Sequence, residues 1–101
     1  MWVGGARVSA APLAGAVLTP HARIEMTRRG LSEEVVRTVL ERPEQRWELR
    51  PGRHVLQSRV PMGDPAKAYV VRVFVDIDKS PGVVVTAYRS SKVAKYWREA
   101  P

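Results

Sequence analysis

The sequence predicts an α+β domain: two N-terminal helices packed on a four-stranded antiparallel sheet, closed by a short C-terminal helix. Three observations predict the layers. From Pro20 to Leu40 the apolar residues fall at helical spacing behind two helix-start signals. Beyond Pro43 the period drops to two and stays there to Arg89, broken by turn formers at Pro51-Gly52, "PMGDPAK" and Lys79 to Gly82. The resulting order of helix, helix, four strands, helix segregates the helices from an antiparallel sheet. A chain of 101 residues is one domain, and no repeat or linker divides it.

Taken in order, residues 1–18 are rich in Gly, Ala and Val without a clean period and read as an arm or a first strand, ahead of a domain over 19–101. Thr19 is a good N-cap and Pro20 suits the first helical position, where its missing N–H costs nothing, so a helix is expected from Pro20 to about Arg29, ended by Gly30. Ser32 caps a second helix with Glu33 and Glu34 in its first turn, complementing the dipole, and Leu31 is placed to staple onto Val36. Val35, Val36, Val39 and Leu40 form its buried stripe, and Pro43 stops it. "QRWELR" (45–50) and "RHVLQSRV" (53–60) read as a hairpin, "AYVVRVFVDI" (68–77) as the strongest strand, and "VVVTAYR" (83–89) as the last. In "SSKVAKYWREA", Ser90 or Ser91 is expected to cap a closing helix with Val93, Tyr96 and Trp97 along one side.

Composition bounds the function. Lys and Arg number 17 against 10 Asp and Glu, a net charge of +7, which favours polyanions: nucleic acid, an acidic protein or an anionic surface. Without cysteine, disulfides, thiolate metal sites and cysteine nucleophiles are excluded. His21 and His54 are the two imidazoles, so neither a metal nor a cofactor is expected. No apolar run approaches the ~18 residues of a membrane helix. "VSAAPLAGAVL" imitates a signal-peptide core, but Pro12 interrupts it and Arg7 alone precedes it as a charge. A cytoplasmic location away from membranes is the expectation.

Candidate chemistry starts at His21, at the second position of a helix, where the positive end of the dipole disfavours the imidazolium. A neutral imidazole there can act as a base, donate to a carbonyl, or pair with Glu25 one turn on. In "AYVVRVFVDI" the alternation sends Tyr69, Val71, Val73 and Val75 to one face and Val70, Arg72, Phe74 and Asp76 to the other; Val84, Thr86 and Tyr88 share a face of the last strand. If those two strands are neighbours, Arg72, Thr86 and Tyr88 converge, with Arg59 joining from the strand before. Guanidinium, hydroxyls and imidazole together suit a phosphodiester; the alternative is an arginine snorkelling from an open sheet face among ordinary strand residues. Arg28 and Arg29 read either as helix-end charges or as RNA contacts. Lys92, Lys95, Tyr96, Trp97 and Arg98 interleave cations and rings, which serves base stacking and phosphate contact or the docking of the last helix. Trp47 reads as core or as a stacking platform, and His54 as a half-exposed strand residue or a second imidazole at the cleft.

The stretch "HARIEMTRRGLS" (21–32) resembles the His-Ala-x-x-x-Met-x-x-Arg-Gly-hydrophobic-Ser/Thr helix of the domain-of-unknown-function 4258 family, and the resemblance continues through "EEVVRTVLERP", "GRHVLQSR" and "VVVTAYRSSKVAKYW". Such domains look like members of the small ribonuclease toxins that include RelE-type toxins, barnase, EndoU and certain colicins. The resemblance implies a pair of helices on a four-stranded antiparallel sheet. The family's helix histidine matches His21, its helix arginine Arg29, and its terminal Thr-x-Tyr-Arg pattern Thr86, Tyr88 and Arg89.

The expected activity is metal-independent endoribonuclease action of a toxin-like kind. His21 takes the proton of a 2′-hydroxyl, Arg59 and Arg72 hold the phosphate, and Thr86 or Tyr88 donates to its oxygens, leaving a 2′,3′-cyclic phosphate; RNA is cut and DNA spared. Arg29, Arg89, Lys92, Lys95 and Tyr96 are the expected further RNA contacts. The partners expected are RNA, free or as ribosome-bound mRNA or tRNA, and an acidic antitoxin or immunity protein. The competing expectation is a non-catalytic basic module of the same fold that binds RNA or protein.

Overall fold

A computed structural model describes residues 8–99, so residues 1–7 of the expected arm and the last two residues of the expected domain lie outside the described part. The helices begin and end where their capping residues stand. Thr19 Oγ1 accepts from the Ala22 N–H at 2.9 Å and opens α1 (Pro20–Arg28). The helix closes in a Schellman turn: Leu31 N–H reaches the Met26 carbonyl at 2.8 Å, Gly30 N–H reaches Thr27 at 3.2 Å, and Gly30 takes the left-handed φ of 69° that the motif needs. Ser32 Oγ accepts from Val35 N–H at 3.1 Å and opens α2 (Glu33–Glu41), whose Val36, Val39 and Leu40 are fully buried.

The sheet corrects the expected architecture. It has five strands in the order β1-β5-β4-β3-β2, and it is mixed: β1 (Val17–Leu18) runs parallel to β5 (Val83–Ser90), while β2 (Gln45–Arg50), β3 (Arg53–Met62), β4 (Lys67–Asp76) and β5 pair antiparallel. The extra strand comes from the N-terminal stretch. Ser9 exchanges both main-chain hydrogen bonds with Arg46 at the β2 edge (2.8 and 2.7 Å), Leu13 N–H bonds the Leu40 carbonyl, and Val17 reaches the opposite edge at β5. Nine residues reach about 30 Å at full extension, more than five strands at ~4.8 Å spacing require, which leaves room for the turn that the Ala16 N–H closes on the Leu13 carbonyl at 3.1 Å. The segment is thus a strap over the helix layer that blunts parts of both sheet edges.

Alternation along β4 divides the molecule. Val71, Val73 and Val75 join Leu56, Val84 and Ala87 with Ala22, Met26, Leu31, Val36, Val39 and Leu40 in one apolar core beneath α1 and α2. Val70, Arg72, Phe74 and Asp76 point to the other face. That face is covered in part by α3 (Val93–Tyr96), a single turn. Its N-cap is Lys92 and has no side-chain cap; the Ser90 hydroxyl instead accepts from the Lys92 N–H at 3.1 Å, so neither Ser90 nor Ser91 caps the helix as expected. Among the described residues no helix is long and apolar enough to cross a membrane.

Candidate functional site

The face opposite the helices carries one row of polar side chains across four strands. Gln45, Gln57, Arg72 and Tyr88 are successive cross-strand partners. Their side chains are linked in the same order: Gln57 Nε2 donates to Gln45 Oε1 at 2.8 Å, Arg72 Nε to Gln57 Oε1 at 2.9 Å, and Arg72 Nη1 to the Tyr88 hydroxyl at 2.7 Å. Aromatic rings wall the row. The Arg72 guanidinium lies 4.5 Å from the Tyr96 ring centroid, 5.4 Å from Phe74, 5.7 Å from Tyr88 and 5.8 Å from Trp47. Phe74 and Tyr88 stack at 5.7 Å, and Tyr96 meets Tyr88 edge-on at 6.0 Å.

Arg72 is 9% exposed and has no carboxylate partner among the described residues. Removing a guanidinium from water costs several kcal/mol, and neutral acceptors and ring faces, each worth about 0.5–2 kcal/mol, offset part of it. A positive charge so held, with hydroxyl donors beside it, is a seat for an anion.

The remaining expected residues divide between free and committed groups. Arg59 is committed: Nε and Nη2 grip Glu44 at 3.2 and 2.9 Å, its main-chain N–H adds a third bond at 2.7 Å, and its guanidinium stacks on Trp97 at 4.2 Å. The Arg59 hydrogen bond is the main reason the Glu44 carboxyl lies below its ordinary pKa. Arg29 bonds Thr86 Oγ1 at 3.0 Å and the Ala87 carbonyl at 2.9 Å while pairing with Glu25 at 2.7 Å, so it ties the end of α1 to β5 and occupies Thr86 in doing so. Glu25 also holds Arg28, and His21 makes no hydrogen bond among the described residues. His21 is exposed on α1, whose Ala22 and Met26 are buried on the face opposite Arg72. The structure therefore brings Arg72, Tyr88 and Tyr96 together, sets Thr86 at the margin of their face, and carries His21 on the helix layer. His54 also lies away from them, its Nδ1 accepting from Arg46 Nε at 2.9 Å. Arg89 packs over Tyr69 at 5.1 Å and against Met62 Sδ, on the helix side of β5. Lys92 is exposed at the start of α3, and Lys95 Nζ sits 5.3 Å from the Tyr96 ring.

Tyr96 is electrostatically distinctive. Burial acts most strongly and raises its phenol, but the hydrogen bond and charge of Lys95, a hydrogen bond from Tyr88 and the charge of Arg72 together bring its pKa below the ordinary tyrosine value. A phenol in that setting ionises more readily than an isolated one, and its phenolate is the form that can accept a proton.

Sequence reasoning missed Gln45 and Gln57, and it named Arg98 only as one cation of the C-terminal stretch. Both glutamines are buried and clamp the C-terminal segment: Gln57 Nε2 donates to the Tyr96 carbonyl at 3.0 Å, Gln45 Nε2 to the Arg98 carbonyl at 2.6 Å, and Arg98 N–H to Gln45 Oε1 at 3.1 Å. Their signal was present, since a glutamine at an inward strand position is uncommon unless it has a polar neighbour to satisfy it. Among the described residues no three His, Cys, Asp or Glu side chains gather in a way that would hold a metal ion.

The family model described as "Domain of unknown function (DUF4258)" matches residues 18–89, from β1 to the penultimate residue of β5. No curated protein and no solved structure matches the chain.

Proposed function

The chain belongs to the domain-of-unknown-function DUF4258 family, and we propose that it is a small metal-independent endoribonuclease of the toxin type whose RNA-binding face is the sheet surface around Arg72. The observation that carries this reading is the Arg72 guanidinium, nearly buried and bonded only to neutral groups. A phosphodiester supplies the missing negative charge, and the surrounding rings give an unpaired base something to stack on. The net charge of +7 draws a polyanion to the surface.

In the reaction proposed, Arg72 holds the non-bridging oxygens of the scissile phosphate. Tyr96, as the phenolate whose formation Lys95, Tyr88 and Arg72 favour, takes the 2′-hydroxyl proton and becomes the phenol, in the role that the sequence suggests for His21. The 2′-oxygen bonds to phosphorus, the bond to the 5′-oxygen breaks, and that oxygen leaves with the proton of Tyr88, whose hydroxyl oxygen Arg72 polarises by donating to it. The products are a 2′,3′-cyclic phosphate and a 5′-hydroxyl. An acidic antitoxin or immunity protein would compete for the same face.

A second reading, a basic RNA- or protein-binding module without catalysis, is favoured by the commitment of Arg59 to Glu44 and the position of His21 on the helix layer. One experiment separates the two. The purified protein is incubated with chelator and single-stranded RNA, the matching DNA, or RNA blocked at its 2′-hydroxyls. Cleavage of unblocked RNA alone, lost in Arg72→Gln and Tyr96→Phe and retained in His21→Ala, is the expected result. RNA bound but uncut gives the binding module, and RNA affinity unchanged in Arg72→Gln removes both readings.

A further inference from the structure

Trp47 is 3% exposed, and its indole Nε1 has no hydrogen-bond partner. Two guanidiniums share its ring: Arg98 lies 4.5 Å and Arg72 5.8 Å from the ring centroid. Neither makes an ion pair among the described residues, whereas Arg23, Arg28, Arg29, Arg37, Arg53 and Arg59 all do. An unpaired N–H in the interior is costly and two like charges on one ring repel, so the cluster is short of negative charge and of an acceptor at the same place.

Arg98 is not there by accident of a loose terminus. The Gln45 side-chain amide bonds both its carbonyl (2.6 Å) and its N–H (3.1 Å), as a neighbouring strand would, and Gln57 holds the Tyr96 carbonyl two residues earlier. Two buried amides thus fix the main chain while leaving the guanidinium at the surface over Trp47, beyond the last residue of the family match. The buried side chains of β2 and β3 position a cation contributed by the C-terminal segment.

We propose that Arg72, Arg98 and the Trp47 indole form a site for a phosphate bearing two negative charges, the terminal phosphate monoester of an RNA strand. An internal phosphodiester brings one charge; a monoester brings close to two above its second pKa of about 6 and adds an oxygen that matches a second guanidinium. Trp47 Nε1 is buried, so an oxygen reaches it only when a side chain near the ring moves, and Arg98 is an exposed one beside it. This inference deepens the RNA reading above and rests on it, with Arg72 holding an internal phosphodiester in cleavage and the terminal phosphate in a strand bound by its end.

The test measures binding of a short 2′-O-methyl RNA, which cannot be cleaved through its 2′-oxygen, carrying a 5′-phosphate, a 3′-phosphate or only hydroxyl ends, at constant ionic strength. A phosphate at one end is expected to tighten binding at pH 7.5 by about tenfold or more, as one added charge-assisted contact does. The advantage is expected to shrink as pH falls through about 6, where the monoester takes up its second proton. The charged and titratable groups on this face are Arg72, Tyr88, Lys95, Tyr96, Arg98 and Glu99, with the pairs Arg59–Glu44 and Arg53–Asp76 at its margins. No histidine is among them, and repeating the titration in Tyr96→Phe isolates the ligand's own ionisation. Arg98→Gln, which keeps the main-chain clamp, is expected to abolish the advantage and leave hydroxyl-ended RNA bound as before.

Equal binding of all three RNAs, or an advantage that survives Arg98→Gln, overturns this inference and leaves the proposed function standing. Hydroxyl-ended RNA that fails to bind at all overturns the function instead. A nucleoside monophosphate or inorganic phosphate that binds as tightly as the phosphorylated RNA overturns the assignment to an RNA end and makes the ligand a free phosphate compound.

Discussion

The two faces of one sheet are built from alternate residues of the same strands, and they are held together by different physics. Under the helices, Leu56, Val71, Val73, Val75 and Val84 meet α1 and α2 in a continuous apolar contact with no polar side chain among the fully enclosed members. On the other face, the neighbours in sequence of those residues are Gln57, Arg72 and Phe74, and the contact they make with α3 and the C-terminal segment runs through amides, a guanidinium and ring edges. The first arrangement depends on area removed from water and tolerates little loss of volume. The second depends on complete hydrogen bonding and leaves one charge and one N–H unmet. A face built only for stability has no need of Arg72, and the contrast with its apolar reverse side is why the proposed RNA contact is placed there.

Substitutions at adjacent positions break the two faces separately. Leu56→Ala removes a fully buried side chain from beneath the helices and is expected to lower unfolding free energy by about 2–5 kcal/mol, while RNA affinity per folded molecule stays unchanged. Equilibrium denaturation and binding at low temperature check both halves. Gln57→Leu keeps the volume but strands Arg72 Nε and the Tyr96 carbonyl and leaves Gln45 Oε1 with the Arg98 N–H alone. Its stability loss is expected to be smaller, about 1–3 kcal/mol, and to be accompanied by early proteolytic cleavage within residues 92–99 and by weakened RNA binding. Equal effects of the two variants on RNA binding would erase the distinction between the faces.

Much of this contrast is legible in the sequence. Capping residues Thr19, Ser32 and Gly30 place both helices, and the period-two run from Ala68 is enough to separate Val71, Val73 and Val75 from Arg72 and Phe74. Two irregularities are not legible. In the β2–β3 hairpin Arg50 opposes Arg53 but Glu48 opposes His54, so Leu49 is an extra residue. A regular two-residue hairpin would set Gln45 against Ser58, and the bulge is what aligns it with Gln57 and puts Trp47 on the Arg72 face. In β5, Val84 opposes Val75 and Thr86 opposes Phe74, leaving Val85 as the extra residue; Val84 therefore enters the core, whereas simple alternation groups it with Thr86 and Tyr88. The β1 strand is only half legible, as one of the two readings of residues 1–18, because two residues paired parallel to β5 carry no period of their own. Arg59 looks available in the sequence because a carboxylate partner from the α2–β2 turn, Glu44, is recognisable only once the strands are in register.

The smallest effect is expected at the rim of the helix-covered side, where His54 receives the Arg46 guanidinium on Nδ1 and Arg46 in turn reaches the Ala11 and Pro12 carbonyls of the N-terminal strap at 3.2 and 3.3 Å. Burial and then the Arg46 charge lower the His54 pKa, with Glu48 acting weakly in the other direction. A folded-state pKa below the unfolded value of about 6.5 means that the unfolded chain binds the proton more readily. The contribution of His54 is therefore complete above pH 6.5 and is lost as pH falls through the folded value, when Nδ1 becomes a donor and can no longer accept from Arg46. The group is partly exposed, so the loss is expected to be well under about 1 kcal/mol. Urea midpoints measured from pH 7.5 to 5 should decline in the wild-type protein and decline less in His54→Gln, with hydrogen exchange at Ser9 and Arg46 rising over the same range. RNA binding by the Arg72 face should not follow that curve, because the sheet separates the two sites; if it does, the strap and the open face are coupled and the division between them is not the functional one.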